Sequence, residues 1–210
     1  MKKIILILGM ALCYLVSFSQ ETSTFTDSRD GKIYKSIKIG NQTWMAENLN
    51  FETASGSCCY NNDTANCTSY GRLYNYKTAL ICCPSGWHLP SEAEWKELEK
   101  YLGITNDAEL NYDGLRGQSA NAGGKLKSKD GWGTTNIGAT NEVGFNAIPG
   151  GFKSYWGNFG YIGQGAGFWS QSNKFAHGSY AHALMSEHNG IILANNSEDD
   201  FYSVRCIMDK

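Results

Sequence analysis

The stretch from Cys82 to Trp95 constrains the fold of this chain more than any other, together with a short segment near the C-terminus. In the first stretch, two adjacent cysteines precede a Pro-Ser-Gly turn and the start of a helix. The second segment, residues 202–206, is strand-like and ends in Cys206. Cys206 is the only cysteine after Cys83, so a disulfide between the two segments would tie the middle of the chain to its end. This pattern predicts one closed domain.

The N-terminus has the layout of a cleaved secretory signal. Two lysines precede an apolar run from Ile4 to Val16, and small and polar residues follow it. We expect cleavage after Ser19, because the run is too short for a membrane span, which needs about 20 apolar residues. Lipid attachment at Cys13 is the less favoured alternative, since the bulky Leu12 precedes it. The predicted location is therefore secreted, periplasmic or at the cell surface.

Beyond the signal at residues 1–19, we predict a short linker at residues 20–29 and a single domain at residues 30–210, long enough for one substantial core. Glycine is frequent, with 24 residues, and 13% of the chain is aromatic, which is typical of a loop-rich globular domain rather than of disorder. The formal net charge is −2 and no cluster of Lys and Arg is present. Nucleic acid and an anionic membrane surface are therefore not expected as partners.

Hydrophobic periodicity predicts the early elements. Apolar residues alternate in Ile33–Ile39, which predicts a half-buried strand, and residues 43–49 form the returning strand of a hairpin. Residues 56–69 are predicted as a polar loop, followed by a short helix that ends near Ile81. Ser91 is a good N-cap for a second helix, because Glu94 completes a capping box and Gly103 provides its end.

The later part of the chain consists of loops and short strands. Residues 106–141 are predicted mostly as loop, with a third helix before Gly117 as the alternative. Strand-length apolar segments follow at residues 145–148, 167–170, 181–185, 191–194 and 202–207. Two helices followed by short strands predict an α+β fold with a mostly antiparallel sheet, in which the first strand lies beside the strand at Val204.

Several unusual strings resemble one domain family in their order along the chain. They include Ile39-Gly40-x-Gln42-x-Trp44-Met45-Ala46-Glu47-Asn48-Leu49, Tyr70-Gly71-Arg72-Leu73-Tyr74, Cys83-Pro84-x-Gly86-Trp87-His88-Leu89-Pro90 and Ser203-Val204-Arg205-Cys206. Over roughly residues 30–209 the chain resembles the Fibrobacter succinogenes major paralogous domain family. The resemblance implies a loop-rich, disulfide-tied C-type-lectin-like fold, related to that of formylglycine-generating enzymes.

The resemblance also implies a disulfide scheme. It pairs Cys83 with Cys206 and Cys59 with Cys67, while Cys58 and Cys82 are additions to the family pattern and are left for each other. Six cysteines allow 15 pairings, so this last pair follows only by elimination. In the related enzymes a cysteine pair near the chain end handles copper and oxygen, but only Cys206 lies in that region here. We therefore predict no enzyme, no catalytic residue and no metal ligand.

Histidines and acidic loops are the other candidate ligands. We expect His88 to hydrogen-bond the backbone, and His177, His182 and His188 to be exposed loop residues rather than a zinc site, given their spacing. Residues 61–63 and 197–200 are rich in side-chain oxygens, for which calcium is the weaker alternative to a solvated acidic turn. No cofactor is therefore predicted.

The candidate binding surface is aromatic. Residues 152–169 interleave glycines with the candidate ligand-binding residues Tyr155, Trp156, Phe159, Tyr161 and Trp169. Exposed aromatic rings could form a platform for sugar rings or a patch for a protein, although the same composition fits a loop that covers a core. By contrast, Trp44, Trp87 and Trp95 are predicted to be core residues.

We accordingly predict an exported, non-catalytic binding module that presents this loop surface to an extracellular glycan or protein. The alternatives are a structural or adhesive cell-surface component without a discrete ligand and, less favoured, an oxidase-like enzyme.

Overall fold

The hairpin predicted at the start of the domain is present in the computed structural model, which describes residues 21–171 and 179–210. Strand β2 (Ile33–Ile39) and strand β3 (Gln42–Met45) pair in antiparallel register, with Ile37 opposite Trp44, and Gly40 turns between them at a φ of 60°. The segment predicted as a linker is not a linker throughout, because Thr22–Thr26 pairs with the outer edge of β2 as strand β1. The predicted signal and Cys13 lie outside the described residues.

The first sheet has the order β1-β2-β3-β14-β6. Its strands are β1 (Thr22–Thr26), β2 (Ile33–Ile39), β3 (Gln42–Met45), β6 (Trp87–His88) and β14 (Ile207–Met208). Ile207 pairs with both Trp44 and His88, so the last strand lies between the hairpin and the segment before the long helix. The sequence predicts that the first strand, β2, lies beside the last strand. This prediction is wrong by one strand, because β14 pairs with β3.

The second sheet has the order β4-β5-β13-β8-β10-β11-β12-β7, and β9 pairs with β8 beside this path. Its strands are β4 (Ser57–Cys58), β5 (Leu73–Asn75), β7 (Gly114–Arg116), β8 (Gly150–Lys153), β9 (Phe159–Ile162), β10 (Gly165–Trp169), β11 (Ser179–Met185), β12 (Ile191–Asn196) and β13 (Phe201–Tyr202). All its strand pairs are antiparallel except β8 with β10. The predicted strand at residues 145–148 is absent as a regular element and makes one bridge, at Ala147.

The helices are short. They are α1 (Thr64–Tyr70), α2 (Tyr76–Ala79), α3 (Glu92–Tyr101), α4 (Asp107–Leu110) and α5 (Ala122–Leu126), with a 3-10 turn at Tyr60–Asn62. The capping box of α3 is confirmed, because Ser91 and Glu94 each accept from the other's backbone N–H. The predicted polar loop at residues 56–69 is wrong, since Asp63 caps α1 by accepting from the N–H of Ala65.

The core is aromatic and has two parts. Trp44 and Trp95 meet edge to face at 5.1 Å between ring centroids, and Phe145 packs against both rings. A second cluster surrounds Trp169 and includes Trp87. The three tryptophans predicted as core residues are all buried. Within the described ranges, no helix is long and apolar enough to cross a membrane.

Among the residues that the structure describes, two disulfides close the fold. Cys83 bonds Cys206 across a sequence separation of 123, and Cys59 bonds Cys67 across a separation of 8, which are the two pairs that the family resemblance implies. The bridge to Cys206 fastens the turn before α3 to the last strand of the first sheet. The protein is thus a mixed α+β domain with mostly short strands, few helices and two disulfides.

The pairing of Cys58 with Cys82 is wrong, because both residues are free thiols. Cys58 lies in β4 opposite Leu73, whereas Cys82 is buried after α2 and its thiol lies 3.5 Å from the carbonyl of Ala79. Each thiol is held on its own element by local packing. Elimination failed here because it assumed that every cysteine of an exported chain finds a partner.

Candidate functional site

An exposed aromatic pair marks the tip of the β8–β9 hairpin. The turn is closed by the N–H of Ser154, which donates to Asn158, and Gly157 adopts a φ of 90° that favours glycine. Tyr155 and Trp156 are 54% and 75% exposed, and their ring centroids lie 4.5 Å apart. This hairpin therefore presents two large rings to solvent.

The five predicted ligand-binding aromatics do not form one surface. Tyr155, Trp156 and Tyr161 are exposed, whereas Phe159 is half-buried and packs against Tyr60 at 5.1 Å. Trp169 is wrong as a ligand-binding residue, because its side chain is fully buried. Its indole N–H donates to the carbonyl of Tyr74 at 2.7 Å, so the ring is fixed within the core.

A groove of about 280 Å³ extends from the hairpin across the second sheet. Its lining residues are Phe152, Tyr161, Ala181, Ala183, Met185, Glu187, Ile192, Ala194, Asn196 and Tyr202. Most of these residues were not predicted from the sequence as ligand-binding residues. Those in β11 and β12 are two residues apart, which is the spacing of residues on one face of a strand. Alternate residues of β11 and β12 point to one face of the sheet, and the alanines on that face leave room above it.

The aromatic wall of the groove depends on one glycine. Phe152 stacks on Tyr161 at 4.7 Å between ring centroids and contacts Tyr202 at 5.1 Å. A Cβ on Gly167 would lie 2.3 Å from the ring of Tyr202, so only glycine lets this ring lie against β10. The phenol of Tyr202 donates to Asn196 Oδ1 at 2.9 Å, which fixes the polar end of the groove.

An acidic turn connects the groove to the hairpin tip. Asp200 accepts from the N–H of Tyr155 at 2.8 Å and from the N–H of Ser197 at 3.1 Å. Burial raises the pKa of Asp200, and the neighbouring carboxylate of Asp199 adds to this effect.

In residues 21–171 and 179–210, no group of three or more His, Cys, Asp or Glu side chains is placed to hold a metal ion.

Comparison with known proteins identifies the family. The Fibrobacter succinogenes major domain profile matches residues 37–208, which include the second sheet, the groove and the Cys83–Cys206 bridge, and exclude β1 and most of β2. The chain belongs to the Fibrobacter succinogenes major domain family. No curated protein and no solved structure matches it. The family assignment therefore supports the resemblance seen in the sequence. It assigns no function, which has to be inferred from the geometry of the site.

The histidines of this Fibrobacter succinogenes major domain are not where the sequence predicts them. His88 is hydrogen-bonded to the carboxylates of Asp209 and Glu94, at 2.6 and 2.9 Å, rather than to the backbone. His182 is buried rather than exposed, and His188 is half-buried. His177 lies outside the described residues. Distant carboxylates explain the corrections at His88 and His182, because Asp209 lies 121 residues from His88 and Glu92 lies 90 residues from His182.

His182 belongs to a buried charge network that crosses the domain. Its Nε2 lies 2.9 Å from Glu92 and its Nδ1 lies 3.2 Å from Glu99, while Arg116 Nη2 donates to Glu99 at 2.8 Å. The imidazole also stacks on Trp95 at 4.1 Å between ring centroids. Two carboxylates thus face two cationic groups, so the network is electrically balanced when the imidazole is protonated.

Burial and charge oppose each other in this network. Burial disfavours the imidazolium form of His182, but the facing carboxylates of Glu92 and Glu99 outweigh burial and raise its pKa. Burial likewise disfavours ionised Glu92, but His182 and the hydroxyl of Ser170 lower its pKa to about 2. Ser170 donates to Glu92 rather than to His182, so this geometry does not activate a serine nucleophile. The network joins α3, β7 and β11.

The charge network predicts how stability depends on pH. Since the pKa of His182 is raised by folding, its contribution is complete below about 6.5 and is lost as the pH rises through the folded pKa. Since the pKa of Glu92 is lowered to about 2, its contribution is present above about 4.5 and is lost as the pH falls towards 2. Urea unfolding should therefore show that His182→Gln destabilises most between about pH 4.5 and 6.5.

His88→Gln is the matched control for this prediction. The pKa of His88 is also raised, since its carboxylate partners outweigh burial, but its side chain is 37% exposed. Solvent screens such a pair, so the pH-dependent loss should be smaller than for His182→Gln. A destabilisation by His182→Gln that grows above neutral pH would contradict the assigned charges.

Proposed function

We propose that this chain is an exported, non-catalytic binding module with a C-type-lectin-like fold that binds an extracellular glycan through the β8–β9 hairpin and its groove. The observation that carries the proposal is the exposed pair Tyr155 and Trp156, beside a groove walled by Tyr161. Rings of this size are usually buried, so their exposure on one hairpin favours a ligand surface.

The composition of the groove fits a sugar. Its floor is apolar, with Ala183 and Ala194 on neighbouring strands, and its ends are polar, with Asn196 and Glu187. Ligand sites of this kind combine aromatic and aliphatic contacts with a few polar groups that fix the orientation of the ligand. The apolar face of a pyranose ring can lie on an aromatic ring while its hydroxyls reach the polar ends.

The frame of the domain supports the other parts of the proposal. The last strand, β14, lies beside β3 in the first sheet, and the Cys83–Cys206 bridge fastens it to the middle of the chain. Such closure by neighbouring terminal segments agrees with a lectin-like frame that holds variable loops. Disulfides persist in oxidising compartments, which agrees with export by the N-terminal signal that the sequence predicts.

Replacing Trp156 by alanine should weaken glycan binding about 10- to 30-fold, because exposed tryptophans at binding sites carry much of the affinity. The free energy of unfolding should change by less than about 0.5 kcal/mol, since the ring is 75% exposed. Titration calorimetry and urea unfolding measure the two quantities. Tyr101→Ala is the matched control, because Tyr101 is 60% exposed but lies on α3 and should leave binding unchanged.

A glycan array with the mature chain, run with and without calcium, tests the function itself. Binding that depends on Trp156 supports the proposal. An array without any bound glycan, together with concentration-dependent self-association in light scattering, would instead indicate a structural or adhesive component. Calcium-dependent binding would assign a cation to the site, and the oxygen-rich turns at residues 61–63 and 197–200 are the places to test.

A further inference from the structure

The groove carries negative charge at one end, and an acidic turn follows its other end. Glu187 lies at one end and is the only charged residue among the described residues that line it. At the other end, Asn196 continues into the turn that contains Glu198, Asp199 and Asp200. In the part of the chain that the structure describes, none of these four carboxylates lies within 4.0 Å of a basic side chain.

Two basic side chains near this surface, Lys153 and Lys127, form no ion pair with its carboxylates. Lys153 follows Phe152 in β8 and therefore points to the opposite face, where its ammonium lies over the rings of Phe159 and Phe201. Lys127 interacts electrostatically with Glu187, but it is buried and donates to three backbone carbonyls. The solvent-facing side of the groove thus combines carboxylates with aromatic rings.

We infer that the groove selects a glycan whose sugar rings carry protonated amines, a glucosamine-type oligomer rather than a neutral or acidic one. The inference rests on the proposed function and names its ligand class. Aromatic faces attract cations through the negative face of the ring, and the exposed ring of Tyr161 lines the same groove as Glu187. The carboxylates in the groove and in the acidic turn disfavour uronic acids and sulfated sugars by like-charge repulsion.

The shape of the surface favours an oligomer over a single amine. The groove leads past Asn196 to the acidic turn, and Asp200 in this turn is bonded to the backbone of Tyr155 at the hairpin tip. A bound chain of sugars would therefore meet Glu187, the ring of Tyr161 and then the Tyr155–Trp156 pair in sequence. Repeated amines along the ligand match carboxylates that are spread along the surface.

The test compares three oligomers of equal length by titration calorimetry at about pH 6, where amines are protonated. These are a glucosamine oligomer, the N-acetylglucosamine oligomer and a glucose oligomer. We expect the glucosamine oligomer to bind at least about tenfold more tightly than either neutral oligomer, with an advantage that falls as salt is added. Glu187→Gln should reduce this ratio severalfold, because the amide keeps a polar group at this end of the groove but removes its charge.

Glu97→Gln, on α3 and away from the groove, is the matched control and should leave the ratio unchanged. Equal or tighter binding of a neutral oligomer overturns the inference but leaves the proposed function intact. Tighter binding of a lysine oligomer with the same number of amines overturns it in favour of a basic protein partner. If no sugar binds at all, the proposed function fails and the inference fails with it.

Discussion

A variant in which Cys83 and Cys206 are both replaced by alanine is expected to lose about 4–5 kcal/mol of unfolding free energy, because the bridge spans a sequence separation of 123. In the chain-entropy account, a cross-link restricts the unfolded ensemble, and a longer loop gives a larger effect. Domains of this kind are stable by only about 5–15 kcal/mol, so the variant should be close to unfolding. Urea unfolding without reductant measures the loss.

The second bridge supplies the control for this prediction. Cys59 and Cys67 are separated by only 8 residues, so their replacement by alanine should cost about 2–3 kcal/mol. The two double variants remove the same kind of bond and differ mainly in loop length. Equal losses would contradict the entropic explanation and would indicate that local packing dominates at both bridges.

Arg116→Met is expected to destabilise the domain by about 3–5 kcal/mol, because it removes one partner of a buried ion pair. Arg116 and Glu99 both have fully buried side chains, and Arg116 also donates to the carbonyls of Leu110 and Tyr112. Without the guanidinium, the carboxylate of Glu99 faces only His182. Methionine retains much of the side-chain volume, so the lost stability reflects the removal of the charge rather than the creation of a cavity.

Two further variants make this prediction specific. Lys38→Met removes an ion pair with Glu21 in which both side chains are more than half exposed, and it should cost less than about 1 kcal/mol. The double variant Arg116→Met with Glu99→Met should recover part of the loss, because it leaves no buried charge between these positions. A double variant that is less stable than Arg116→Met alone would contradict the assigned role of the pair. Urea unfolding measures all three variants.

Local signals predicted the elements that depend only on neighbouring residues. The strand at Ile33–Ile39 and the capping box at Ser91 need no knowledge of the rest of the chain, and both are present. The faces of this strand differ from the predicted alternation, because Ile33 is exposed whereas Tyr34 and Ser36 are buried. The segment at residues 56–69 failed because its polar composition resembles a loop. Its helix α1 is fixed by the cap at Asp63 and by the short disulfide, and neither follows from hydrophobic periodicity.

The candidate site was predicted only in part, because the exposure of a side chain depends on residues that are distant in the sequence. Trp156 and Trp169 have similar glycine-rich neighbours, yet the first is 75% exposed and the second is fully buried. The difference comes from Tyr74, a residue distant in sequence whose carbonyl accepts the indole N–H of Trp169. His182 was misplaced for the same reason, since the carboxylates that surround it belong to α3.

Each free thiol is the immediate neighbour of a bridged cysteine, so two incorrect disulfides could form while the chain is oxidised and folds. Cys58 could capture Cys67 and Cys82 could capture Cys206, each with a shift of one residue along the backbone. Such a shift in a strand or turn exchanges the inward and outward side chains. Burial raises the pKa of Cys82 to about 12, so completed folding leaves this thiol protonated and unable to attack the adjacent bond. Folding itself thus protects the correct isomer at this bridge from thiol exchange.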